Sequence, residues 1–165
     1  MRVSHLIATF FCVGHLRPAP GTWGSLAALP AAWVLHVLGG PILLALGVAL
    51  SFTLGVWATS QETKGKDDHD PSEIVIDEVA GQWLALLPVS IGATHAGVDM
   101  LALWPGWVTA FVAFRLFDIL KPGPIGWEDR RNDPLGVMLD DIFAGIAAAI
   151  CVMAGAAISH GLLGA

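Results

Sequence analysis

No Asp, Glu, Lys or Arg occurs between Pro18 and Gln61. Between Val79 and Phe114 the only charge is Asp99, and from Ile142 to Ala165 there is none. Crossing hydrocarbon as an α-helix takes about 20 predominantly apolar residues, because every backbone N–H and C=O must be bonded within the segment. The first stretch has room for two crossings, and Gly39-Gly40-Pro41 supplies the turn chemistry between them. The pattern predicts spans near residues 23–38, 41–59, 78–95, 100–117 and 141–160. Pro30 is expected to kink the first, and Trp104 and Trp107 fall where an interfacial aromatic belt would sit. Residues 3–14 are too few to span and read as a short interfacial or packed helix. The expected fold is all-α: a polytopic membrane helical bundle of about five spans, one domain over residues 1–165.

The charges that do occur are gathered between the uncharged stretches. All eight basic residues lie there, as do all the acids except Asp99. Arg2, Arg17, Lys64, Lys66, Arg115, Lys121, Arg130 and Arg131 therefore share one side, which the positive-inside rule makes the cytoplasm. The active-site loops, residues 1–24, 60–78 and 115–141, are then cytoplasmic too. Charged residues make up 13% of the chain, against about 25% in ordinary soluble domains. The net charge of −6 argues against nucleic acid as a partner. Cys12 and Cys151 form no CxxC pair, which excludes a zinc framework and gives no case for a disulfide. The apolar run Leu6–Gly14 is followed by no A-x-A-like site, so no cleaved signal is expected.

Three groups of residues carry chemistry. Asp77 and Glu78 are expected to open one span, and Asp140 and Asp141 another. Arg115 and Asp118 leave a third. Alternating spans bring these five carboxylates to one interface. Like charges so close repel unless a cation sits among them, and Mg²⁺ commonly takes one or two carboxylates together with phosphate oxygens. The plain alternative, acids complementing a helix macrodipole, covers the two pairs but not Asp118, which lies near a helix C-terminus. The second group is Arg17 with Gly21, Thr22, Gly24 and Ser25. It is expected as a glycine-rich turn before a helix, offering backbone N–H groups and two hydroxyls to an anion, or else merely capping that helix. The third is Arg115 and Lys121, one turn either side of Asp118, which bind phosphate beside the metal or simply snorkel and pair. His69-Asp70 is a further acid–base candidate, and Arg130 and Arg131 are candidate headgroup or topology anchors.

In sequence order, GTWGSLAALP, IDEVAGQW, and FRLFDILKPGPI with LGVMLDDIFAG resemble the phosphatidylglycerophosphatase A family, over roughly residues 14–150. The resemblance implies a bacterial inner-membrane enzyme. Such an enzyme removes the terminal phosphomonoester of phosphatidylglycerophosphate, requires Mg²⁺ and yields phosphatidylglycerol. It places Asp77, Glu78, Asp118, Asp140 and Asp141 on the family's acidic positions, Lys121 on its KP motif, and Gly21, Thr22, Gly24 and Ser25 on its PGTxGS loop. The expected metal ligands are Asp77, Glu78, Asp140 and Asp141. Asp118, Asp140 and Lys121 are the expected catalytic groups. Arg17, Gly21, Thr22, Gly24, Ser25 and Arg115 are the expected substrate contacts. Asp133-Pro134-Leu135-Gly136 stands where the family tends to have a glycine-rich turn. Metal-activated water is the favoured nucleophile, and an aspartyl-phosphate on Asp118 or Asp140 is the other route. The rival function is a small cation or proton transporter using the interfacial carboxylates.

Overall fold

A computed structural model describes residues 2–66, 71–129 and 133–163, and the described residues contain helices and no strand. The helices are α1 (Val3–Ala8), α2 (Pro20–Glu62), α3 (Ile76–Ala96), α4 (Trp104–Leu120), α5 (Pro124–Asp129) and α6 (Pro134–Leu163). Short 3₁₀ turns at Val13–His15 and Met100–Leu103 precede α2 and α4. His69, Asp70, Arg130 and Arg131 lie outside the described residues.

Helix α2 is two helices joined at a break. Gly39 (φ −159°, ψ 18°) and Gly40 (φ 63°, ψ −156°) leave helical geometry, and Pro41 starts the second arm. The chain reverses there. Along the first arm, Trp83 Nε1 donates to the Ala28 carbonyl (2.8 Å) and His36 Nδ1 lies 2.7 Å from Ser90 Oγ, so this arm runs parallel to α3. On the second arm Gly47 packs on Trp83 and Gly55 on Ile76, an antiparallel order. The turn expected at Gly39-Gly40-Pro41 is therefore present. At Pro30 the backbone keeps helical φ/ψ, and the helix continues through it.

Helix α3 is the hub and packs against α2, α4 and α6. Buried residues run along its length, among them Asp77, Gln82 and Ser90. The outer helices show the opposite pattern. Leu46 and Leu50 on α2, Val108 and Val112 on α4, and Ile146 and Ile150 on α6 are exposed at helical spacing. Apolar stripes facing outward suit a lipid solvent rather than water. Three helical segments, Pro20–Glu62, Met100–Leu120 and Pro134–Ser159, are long and apolar enough to cross a membrane. Helix α3 is not among them; it touches its neighbours more than the surroundings, which permits its polar residues.

Two boundaries differ from expectation. Helix α1 stops at Ala8, where the buried Thr9 takes over: its Oγ1 donates to the His5 carbonyl (2.7 Å) and accepts the Cys12 N–H (3.1 Å). Phe10, Phe11 and Cys12 follow with positive φ, so 3–14 is a helix and a coil rather than one helix. Helix α6 begins at Pro134, not near 141. Asp133 Oδ1 accepts the Gly136 N–H (2.6 Å), an N-cap, and Pro134 takes the first helical position, where a missing N–H costs nothing. Asp140 and Asp141 consequently lie well inside α6, so complementing its dipole does not account for them.

Gly40 occupies a region of φ/ψ open essentially to glycine alone, while a Cβ there would meet only Thr94 Oγ1 at 4.0 Å. Gly40→Ala should therefore cost about 1–3 kcal/mol through backbone strain and not through crowding. Thermal unfolding in detergent checks this, and an unchanged Tm would contradict it.

Candidate active site

The site is assembled at one end of the bundle from the first turns of α2 and α3, the last turn of α4 and the second turn of α6. What brings α3 and α6 together is the absence of side chains. A Cβ on Gly145 would lie 2.5 Å from the Gly81 carbonyl oxygen, and one on Gly81 would lie 2.5 Å from both the Asp141 carbonyl oxygen and Phe114 Cε2. Each glycine stands four residues after an acid, Asp77 before Gly81 and Asp141 before Gly145. The same helix faces that touch at the glycines therefore carry the carboxylates one turn away.

Asp77, Glu78 and Asp141 each offer a carboxylate oxygen, and the three lie within 4.8 Å of one another. Asp77 and Asp141 are buried, at 6% and 2% exposure. Asp140, expected as a fourth ligand, is turned elsewhere. Its Oδ2 accepts from Lys121 Nζ at 2.6 Å and its Oδ1 accepts the Asp141 backbone N–H at 3.0 Å. The pairing with Lys121 is what sets Asp140 apart from Asp141, whose oxygen lies with those of Asp77 and Glu78. Lys121 reaches Asp140 from the left-handed C-cap of α4 (φ 45°, ψ 53°).

Arg115 is the other cation at the site. It forms an ion pair with Asp118, and its Nη1 lies 3.9 Å from Glu78 Oε1. Asp118 thus adjoins the three-acid group, paired with Arg115 and hydrogen-bonded to Asp141. Arg115 Nε and Glu78 Oε2 are among the buried polar atoms that have no hydrogen-bond partner among the described residues. Clustered carboxylates with an unbonded buried oxygen suit a hard divalent cation, whose ligands are oxygens. The donor set fits a metal of this class.

The segment from Arg17 to Ser25 differs from the expected turn. Helix α2 starts at Pro20, so Gly21, Thr22, Gly24 and Ser25 belong to its first turns. The Thr22 and Trp23 N–H groups both donate to the Ala19 carbonyl (3.1 and 3.3 Å), which withdraws them from anion binding. Ser25 is fully buried and its Oγ donates to the Gly21 carbonyl (2.9 Å). Gly24 faces away from the acids, since a Cβ there would meet Val75 Cβ at 2.8 Å. Gly21 is the site-facing glycine: a Cβ on it would overlap Glu78 Oε1 and lie 3.2 Å from Arg115 Nη1. Thr22 is half-buried beside it, and Arg17 is exposed.

One polar residue of the site region drew no attention in the sequence. Gln82 is fully buried, and neither its Oε1 nor its Nε2 has a hydrogen-bond partner among the described residues. The signal was available in the spacing, because Gln82 follows Glu78 by one helical turn.

The two glycines make separable predictions. Gly21→Ala should push into Glu78 and Arg115 and lower turnover while the fold survives. Gly24→Ala should instead press on Val75 and cost about 1–3 kcal/mol of stability by overpacking. Activity and thermal unfolding measured on both variants check the assignment. Equal effects of the two on turnover would contradict it.

Comparison with known proteins bears on the same residues. A family model described as Phosphatidylglycerophosphatase A matches residues 6–156, an interval that includes every residue of the site. The Haemophilus influenzae protein named Phosphatidylglycerophosphatase A is 38% identical over 151 residues, covering 91% of this chain and 86% of that one. The Escherichia coli protein of the same name is 39% identical over 147 residues, covering 88% of this chain and 78% of its own. No solved structure matches the chain. Matches of this length and identity leave one conclusion: the chain belongs to the phosphatidylglycerophosphatase A family.

Proposed function

We propose that the chain is one membrane-embedded domain that hydrolyses the terminal phosphomonoester of phosphatidylglycerophosphate to phosphatidylglycerol and inorganic phosphate. The observation that carries this reading is the three-carboxylate group within 4.8 Å in a chain of this family. Water is the nucleophile. Its oxygen bonds to phosphorus, the bond from phosphorus to the glycerol oxygen breaks, and that oxygen leaves with a proton. The alternative nucleophiles, Asp118 and Asp140, are each committed to a cation, which favours water.

Asp77, Glu78 and Asp141 are the residues that would hold Mg²⁺. When bound, Mg²⁺ offsets the negative charge on the phosphoryl oxygens. Arg115 positions Glu78 and Asp118 and keeps its buried Nε–H for a phosphoryl oxygen. Lys121, steadied by Asp140, is the cation placed for the headgroup's second phosphate, with Arg17 on the exposed approach. Gly21, lacking a side chain, lets the start of α2 close on Glu78 and Arg115. Thr22 supplies the neighbouring hydroxyl for the substrate; Ser25 has a packing role.

The two arms of α2 with α3, α4 and α6 make five crossings of alternating direction. Parallel order of α3 with the first arm and with α6, and antiparallel order with the second arm and α4, supports that count. The one-sided Lys and Arg residues support a reading in which the acids lie at the cytoplasmic face of a bacterial inner membrane. The transporter alternative has no observation in its favour, since the clustered carboxylates sit at one end of the bundle and not along it.

Asp77→Asn, Glu78→Gln and Asp141→Asn keep shape and remove charge. Each should lower phosphate release by roughly 100-fold or more, and a chelator should abolish release by the unsubstituted protein. Near-normal turnover in all three variants would refute the site. A reporter fused after Ala165 should read as external, and a cytoplasmic signal would refute five crossings.

A further inference from the structure

Gln82 is the one fully buried side chain at the site region whose polar atoms are all unaccounted for among the described residues. A carboxamide in a bundle interior that bonds nothing lowers stability, because it has given up its hydrogen bonds to water. Such a residue needs an occupant to explain it. The helix supplies the direction. Side chains on an α-helix tilt toward its N-terminus, so a long side chain at position 82 covers the turn that carries Glu78. That turn already holds Glu78 Oε2, a buried unbonded acceptor, and next to it is Arg115 Nε, a buried unbonded donor. Gly81 beside Gln82 keeps α6 and Asp141 in contact with this level of α3.

The unmet groups match the reactants. Gln82 offers one acceptor and two N–H donors. A water about to attack phosphorus needs an acceptor for an O–H. A phosphoryl group needs donors for its oxygens. Building on the hydrolase reading above, we infer that Gln82 is a catalytic residue. Its Oε1 accepts a hydrogen bond from the attacking water while its Nε2 donates to a phosphoryl oxygen, which fixes the water in line with the scissile bond. The amide takes up no proton. The water's oxygen bonds to phosphorus, the glycerol oxygen departs with the bonding pair, and one proton of the water ends on that oxygen. A carboxamide that orients water suits a reaction in which positioning supplies most of the acceleration.

A structural role and this role predict opposite changes in stability. Gln82→Met keeps the length and removes the polar atoms. If Gln82 serves the reactants, its loss should leave Tm equal or higher, lower kcat roughly 100-fold and change KM by no more than about threefold. Gln82→Asn, which keeps the amide but withdraws it, should give a kcat between the two. The measurements are phosphate release from phosphatidylglycerophosphate by detergent-solubilised protein with Mg²⁺, thermal unfolding, and Mn²⁺ binding followed by electron paramagnetic resonance. Mn²⁺ binding should persist in Gln82→Met and weaken in Asp141→Asn, run in parallel. A lowered Tm or failure to fold in Gln82→Met, an unchanged kcat, or an effect confined to KM each overturns the inference. If Asp141→Asn loses activity and Gln82→Met does not, Gln82 alone is excluded. If Asp141→Asn keeps its turnover and its Mn²⁺ affinity, the metal-site reading falls and this inference with it.

Discussion

Gly81 and Gly145 meet where α3 crosses α6, so close that a methyl group on either would collide with the other helix's backbone. The remaining features of the site depend on that approach. In a lipid surrounding, helices gain little by hiding apolar side chains from one another, and small residues that let backbones come together carry the association. Here the contact also serves as a ruler. Asp77 and Asp141 each stand one turn before their glycine, so the crossing sets carboxylate against carboxylate at a fixed level. Three acids within 4.8 Å repel, and the packing one turn away opposes that repulsion. A cation among them would remove it.

The balance of charge around this group is selective. Five carboxylates converge, but two of them are already matched: Asp118 with Arg115 and Asp140 with Lys121. Asp77, Glu78 and Asp141 form the group whose oxygens lie within 4.8 Å of one another, with Arg115 Nη1 3.9 Å from Glu78 Oε1. The acids thus divide into two that steady Arg115 and Lys121 and three whose clustered oxygens could hold a metal ion.

The polar interior follows from the same inside-out arrangement. Outer helices present Leu, Val and Ile outward, which frees the central helix to carry Asp77, Glu78, Gln82 and Ser90. Trp83 to Ala28 and His36 to Ser90 tie that helix to the first arm of α2. That tie keeps the start of α2, and so Gly21, against Glu78. The reversal at Gly39-Gly40 brings the second arm onto α3 as well.

The residues themselves determined the membrane-like character, the reversal at Gly39-Gly40-Pro41, the helical segments apart from the end of α1 and the start of α6, and the identity of the acids. Those features are local: a run without charge, a glycine pair before proline, an acidic pair beside small residues. The tertiary structure decided which groups share a space. Asp140 and Asp141 are neighbours in the chain, yet one pairs with Lys121 and the other lies with Asp77 and Glu78, because α4 and α3 reach them from different sides. Gly21 and Gly24 read alike in a glycine-rich motif, and only packing shows that the first abuts Glu78 and the second Val75. Where α6 begins depended on Asp133 capping Pro134, a bond whose value the run of apolar residues does not reveal. Gln82 was visible as a polar residue in an apolar segment, but its full burial and unbonded amide emerge only in the packed bundle. Hydrophobic pattern constrains which residues form helices, whereas side-chain partners depend on how those helices rotate and cross.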